Sequence, residues 1–206
     1  LVQIVTTSEV QQLDLMDFQV FILANLYGLY RDDRQRLFNV GIIETAKKQG
    51  KSNLASILCL YECCADRELN ASVLLLAKTR EQTKKVFNYI LSTLLVSAAL
   101  KDLFTINRNL IYNQSSTGKN QIGIIVADPK ITAGENTSFS IADECGLYNE
   151  KQMEASANIA TGMASRVNPS QLYITTASND KQAKYLDKRQ TVTNLLEGRG
   201  RCAHDL

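Results

Sequence analysis

The sequence is poor in the side chains that build most metal and nucleophile sites. Its single histidine, His204, stands near the end of the 206-residue chain. Ser–His and Cys–His catalysis need an imidazole inside a formed pocket, which a histidine near the chain end suits poorly, and one histidine without a C-x-x-C argues against a zinc site. The five cysteines include the neighbours Cys63 and Cys64 but no C-x-x-C, which suits free thiols in a reducing cytoplasm better than a disulfide or metal framework. Pro129 and Pro169 are the only prolines, and no repeat, linker or low-complexity tract interrupts the chain. Long hydrophobic runs are also missing. The longest, 89-YILSTLLVSAAL-100, is shorter than a membrane span and carries hydroxyls, so it reads as a buried helix. Residues 1–10 lack both a basic start and a small-residue cleavage site, which argues against a secretory signal. A net charge of +2 is too mild to announce nucleic acid.

What is present is an ordinary globular composition, 45% hydrophobic and 21% charged, in a length that suits one well-buried domain. We expect a single domain over residues 1–206, with 1–17 as a candidate N-terminal arm. The absence of an initial Met, and of a closing element after 201-RCAHDL-206, suggests a longer parent protein. Short apolar runs recur at 40-VGIIET-45, 73-VLLLAK-78, 122-IGIIVAD-128, 139-FSIADE-144 and 172-LYITTA-177. Runs this apolar suit strands covered on both faces, the habit of a mainly parallel sheet with helical crossovers. Between them, residues 52–65, 80–100 and 150–166 have the length and composition of helices. The fold class is therefore α/β. Residues 101–120 read as a hairpin-like excursion with 116-STGKN-120 as its turn, and 179–200 as a helix followed by a glycine-containing turn.

Three of these strands end in residues with chemistry to offer. After the first comes 45-TAKKQGKS-52, which meets the end of the phosphate-loop pattern G-x-x-x-x-G-K-[ST] but has Thr45 at the first glycine. Its position between a strand and a helix is the context that pattern requires. There, backbone N–H groups would face phosphates, Lys51 would reach the β and γ oxygens, and the Ser52 hydroxyl would ligate Mg²⁺. A solvated lysine-rich turn is the competing reading. The fourth strand delivers Asp143 and Glu144 at its carboxyl end, where ligands bind in open α/β sheets. Asp143 would hold Mg²⁺ and Glu144 would polarise an attacking water; alternatively the pair only caps the next helix. The fifth ends in Thr175 and Thr176, whose hydroxyls could sense a γ-phosphate or merely reflect the strand preference of threonine.

Taken in order, 18-FQVFILANLYG-28, 45-TAKKQGKS-52, 139-FSIADE-144 and 175-TTAS-178 resemble the motifs of the large terminase subunit of tailed bacteriophages, in the branch typified by phage HK97. The resemblance runs from Phe18 to Ser178. It implies a P-loop NTPase of the additional-strand type that uses ATP and Mg²⁺. It also accounts for Thr45, since that family's loop usually lacks the first glycine, and it gives the whole loop, Thr45, Ala46, Lys47, Lys48, Gln49, Gly50, Lys51 and Ser52, to nucleotide binding. Gln19 would recognise adenine with Phe18 stacking beside it, although both also fit an amphipathic first helix. Two positions depart from the family. Lys47 replaces an arginine and loses its planar fork, and Ser178 stands where glycine is frequent.

The resemblance further implies a DNA-packaging motor: a homo-oligomeric ring that translocates double-stranded DNA into a procapsid through its portal, working with a terminase small subunit in the cytoplasm of the bacterial host. An arginine finger from a neighbouring subunit is expected, with Arg166 as first choice and Lys130 as second; a solvated helix-end arginine is the alternative for Arg166. The family's nuclease domain is not apparent in this chain. Two rivals stay open, a superfamily 2 helicase-like DNA translocase and a non-hydrolysing ATP-binding assembly scaffold.

Overall fold

Five short, almost wholly apolar segments become the parallel strands of one sheet, and their burial explains their composition. The computed structural model describes residues 3–5, 10–12, 14–64, 68–114, 118–177 and 183–199. A small antiparallel pair, β1 (Gln3–Val5) and β2 (Val10–Gln12), precedes helix α1 (Asp17–Gly28). Then follow β3 (Val40–Thr45), α2 (Lys51–Cys64), β4 (Ser72–Ala77) and α3 (Arg80–Val96). A hairpin of β5 (Phe104–Asn107) and β6 (Leu110–Asn113) leads to β7 (Gln121–Val126) and the one-turn α4 (Pro129–Thr132). The chain continues with β8 (Phe139–Asp143), α5 (Glu150–Gly162), β9 (Ser170–Thr176) and α6 (Tyr185–Leu196). The α/β class and the mainly parallel sheet expected from the sequence are what is found.

The seven-stranded sheet has the order β3-β9-β8-β4-β7-β6-β5. Its first five strands are parallel, and the hairpin extends it antiparallel at the far edge. The last strand in sequence, β9, is thus inserted between β3 and β8, the arrangement that the additional-strand reading calls for.

Period-two alternation sorts the strand residues between two layers. Ile43, Val73, Leu75, Phe139, Ile141, Leu172 and Ile174 join α1, α2 and α3 in one core cluster. Leu74, Leu76, Ala142 and Tyr173 face the other way, toward α5 and α6. Both faces are covered, so every residue of β4 is buried. Caps fix the helix starts. Thr79 and Asn149 accept hydrogen bonds from the backbone N–H of Gln82 and Gln152, whose side chains return the bond, and so begin α3 and α5.

One expectation is corrected. The tight turn of the hairpin lies at Arg108–Asn109, between β5 and β6, with Arg108 in a left-handed conformation (φ 33°). The STGKN segment instead belongs to the later connection from β6 to β7, with residues 115–117 outside the described set. The described cysteines, Cys59, Cys63, Cys64 and Cys145, form no disulfide. Burial pushes the Cys63 and Cys145 thiols up to about 12, as befits packing groups rather than nucleophiles. No helix among the described residues is long and apolar enough to cross a membrane.

Candidate active site

Residues 46–50 carry the chain from β3 into α2, and they do so with two left-handed residues, Lys48 (φ 66°) and Gly50 (φ 71°). Glycine adopts this conformation at no steric cost, whereas Lys48 bears about 1 kcal/mol of backbone strain. There is a second reason for Gly50: a Cβ there would lie 3.1 Å from the Gln19 amide nitrogen and 3.4 Å from the Met16 methyl. The loop closes on itself where Lys51 Nζ donates to the Ala46 carbonyl at 3.1 Å. α2 has no acidic residue in its first turn, which leaves the positive end of its dipole available to an anion.

Across β9, strand β8 brings up the two carboxylates. Phe139 to Ala142 are buried, and the charged residues stand at the strand's carboxyl end. Burial, together with the neighbouring Glu144, raises the Asp143 carboxyl to about 6, and the charges of Lys51 and Lys85 pull the other way. Glu144 is held in a left-handed backbone (φ 49°, ψ 42°), which non-glycine residues adopt at functional sites more than elsewhere. Its Oε2 accepts hydrogen bonds from Thr176 Oγ1 at 2.9 Å and from the Thr176 N–H at 3.3 Å.

The adjacent threonines divide their labour because strand neighbours point to opposite faces. Thr176 faces the carboxylate. Thr175, buried on the reverse face, accepts from the Gly146 N–H and donates to the Thr176 carbonyl, each at 3.1 Å. A Cβ on Gly146 would fall 2.5 Å from Thr175 Oγ1, so this turn after β8 admits only glycine without rearrangement.

These groups surround a cleft of about 520 Å³ at the carboxyl ends of the parallel strands, lined by Lys47, Ser52, Asp143, Glu144 and Thr176 among others. Gln82 and Lys85 of α3 also line it. Sequence reasoning missed both, although the T-x-x-Q capping signal at Thr79 could have placed Gln82 at a helix start beside a strand end. Among the described residues no group of three or more His, Cys, Asp or Glu could hold a metal alone. A cation here would depend on Asp143, Ser52 and oxygens of its ligand. The donor set fits Mg²⁺: a buried carboxylate whose charge is raised in energy by its surroundings gains by meeting a hard cation.

The remaining predicted residues fall as follows. Phe18 and Gln19 start α1 next to the loop; Gln19 is buried, and its Oε1 accepts from the Met16 N–H at 3.1 Å. Ala46, Lys48 and Gln49 are exposed on the loop. Lys130 is exposed on α4, at the cleft's end of the sheet. Ser178 and His204 lie outside the described residues. Arg166 sits away from its own chain's cleft. It lies ahead of the amino end of β9, with the 7-residue strand between it and the cleft, roughly 20 Å away. Its guanidinium donates five hydrogen bonds within the chain, to Asn136 Oδ1 and O, Leu69 O, Asn70 O and Glu68 Oε1. With every N–H used, it is a structural clamp and has no donor left for a neighbour's phosphate.

Comparison with curated proteins gave no match. Among solved structures, the chain is similar to the large terminase of HK97 bacteriophage, with 22% identity and a TM-score of 0.72, over 91% of this chain and 38% of that one. It is similar to the large terminase of a thermophilic bacteriophage in complex with ADP, with 12% identity and a TM-score of 0.59, over 84% of this chain and 42% of that one. The UvsW helicase of bacteriophage T4 also shares the fold, at 12% identity and a TM-score of 0.54, over 91% of this chain and 60% of that one. Fold alone therefore leaves motor and helicase equally open. The chain spans less than half the length of either terminase. The family-level match is what separates the readings: residues 17–194 match the terminase large subunit ATPase domain, and so this chain belongs to that family of ATP-hydrolysing P-loop domains.

Proposed function

We propose that the cleft binds ATP with Mg²⁺ and that its hydrolysis drives translocation of double-stranded viral DNA into a procapsid. The observation that carries this reading is the convergence of Lys47 and Ser52 from the loop and the start of α2, the Asp143–Glu144 pair from the end of β8, and Thr176 from the end of β9, on one cleft. Lys51 and the N–H groups of residues 46–52 hold the β and γ phosphates. Ser52 and Asp143 hold Mg²⁺, which neutralises phosphate charge when bound. Glu144 accepts the proton of the attacking water as that oxygen bonds to the γ-phosphorus and the bond to the ADP oxygen breaks. The two hydrogen bonds from Thr176 fix the orientation of that carboxylate. Adenine lies beside the start of α1, against Gln19 and Phe18.

Around this domain we place a homo-oligomeric ring, a terminase small subunit, the portal and the procapsid, in the cytoplasm of the bacterial host. DNA is held through its phosphates without regard to sequence, so binding weakens as salt rises. The test is ATP turnover at high protein concentration with double-stranded DNA, beside Glu144→Gln and Lys51→Ala. Glu144→Gln should bind ATP normally while turnover falls about 100-fold or more, the usual effect of losing a general base. Lys51→Ala should lose affinity and turnover together. Turnover by Glu144→Gln at the rate of the unmodified protein would overturn the assignment of the water-activating carboxylate, and the motor reading with it.

A further inference from the structure

The reverse face of the loop strand carries a polar cluster that the nucleotide chemistry does not use. In β3, Thr45 shares its face with Ile43 and the cleft, so Glu44 projects to the opposite face, in register with Thr175 of β9. There, Glu44 Oε2 accepts from Arg189 Nε at 3.1 Å, and Tyr185 Oη lies 3.5 Å away. Both partners belong to α6. Tyr185 is buried and packs against Gly146, where a Cβ would stand 3.3 Å from its ring. Lys188, on the same helix, lies 4.8 Å above the Tyr173 ring. The far end of α6 is different: Leu196 is 82% exposed. The helix is therefore held at one end, by contacts that reach the phosphate-loop strand through Glu44 and the Glu144 turn through Gly146.

We propose that Glu44 and Arg189 form a latch that couples α6 to the nucleotide site, with both acting as positioning residues; the proposal rests on the ATP-site reading above. The route is short and continuous. Glu44 immediately precedes Thr45 of the loop, and Gly146 lies two residues after Glu144. Thr175, which holds Gly146, directly precedes Thr176, which holds Glu144. A change at either end of the cleft is thus felt on the reverse face within two residues. Exposed ion pairs are individually weak, which suits a contact that opens and closes in each cycle, and the side chain of Arg189 is 55% exposed.

The experiment measures amide hydrogen exchange across residues 185–196, with and without a slowly hydrolysed ATP analogue plus Mg²⁺, alongside affinity for a fluorescent ATP analogue. In the unmodified chain, nucleotide should change α6 exchange by about threefold, the scale of one exposed pair. Arg189→Ala should abolish that response while leaving nucleotide affinity within about twofold, since Arg189 lies on the far face of the sheet. Arg189→Lys and the charge swap Glu44→Arg with Arg189→Glu should restore the response, which a merely structural helix contact would not require. If the chain binds nucleotide but α6 exchange is unmoved, or if Arg189→Ala responds like the unmodified chain, the latch is overturned and the ATP site stands. If the chain binds no nucleotide, the site reading falls and the latch falls with it.

Discussion

Asp143 shows how a single side chain can be tuned at the expense of stability. Burial and the adjacent Glu144 raise its carboxyl from an ordinary 3.8 to about 6. Below about pH 4 folded and unfolded chains both hold the proton, and Asp143 has no effect on stability. As pH rises to 6 the unfolded chain releases it first, so the folded state loses ground, and above 6 the full penalty, on the order of 3 kcal/mol, applies. Asp143→Asn should therefore raise the melting temperature of the nucleotide-free chain at pH 7.5 by several degrees, with a smaller gain at pH 5. Equal gains at both pH values would mean that charge is not the cause. The residue roles here are legible in unequal measure. Asp143 and Glu144 announce themselves as an acidic pair after an apolar strand, but nothing in the sequence says that Thr176 rather than Thr175 meets Glu144. That depends on strand register and on which face each threonine occupies. The surroundings of Arg166 are hidden for a related reason: its five acceptors come from segments 68–70 and 136, which only folding brings together.

Among the elements, the parallel strands are the most readable, because burial on both faces leaves continuous apolar runs. The β5–β6 hairpin is legible, but its turn is not. Arg108 adopts a left-handed backbone without the glycine that usually signals one, while the glycine-containing STGKN draws the expected turn a few residues too far along. The connection between β8 and α5 is tightly constrained, since Gly146 is wedged between Thr175 and Tyr185. Gly146→Ala should cost roughly 1–3 kcal/mol, the usual range for overpacking a filled site. Urea denaturation would check it, and a change under about 0.5 kcal/mol would show that the turn relaxes freely.

At the scale of the molecule, the end of the sheet away from the cleft is fastened by a buried ion pair. Arg36 Nη1 meets Glu62 Oε1 at 2.9 Å with both side chains almost fully buried. Arg36 also donates to Ser170 Oγ at 2.8 Å, and the Tyr27 hydroxyl donates to Glu62 at 2.8 Å. The network joins α1, α2 and the start of β9. Its members lie far apart in sequence, so no local pattern reveals it. Arg36→Leu should destabilise the chain by about 3–5 kcal/mol because it strands a buried carboxylate, and adding Glu62→Leu should recover much of that loss. A double variant as unstable as the single would show that the pair stabilises outright.

The insertion of β9 between β3 and β8 also sets an order of assembly. Thr45 pairs with Thr176, and Asp143 with Ile174, so the loop and the carboxylates are brought to their working separation only by a strand that leaves the ribosome after both. Until residue 176 has been made, β3 lacks the strand that joins it to the sheet carrying the carboxylates. A chain cut before β9 keeps the complete loop and acidic pair but loses the strand that sets them in register, and it should bind a fluorescent ATP analogue more weakly than the uncut chain.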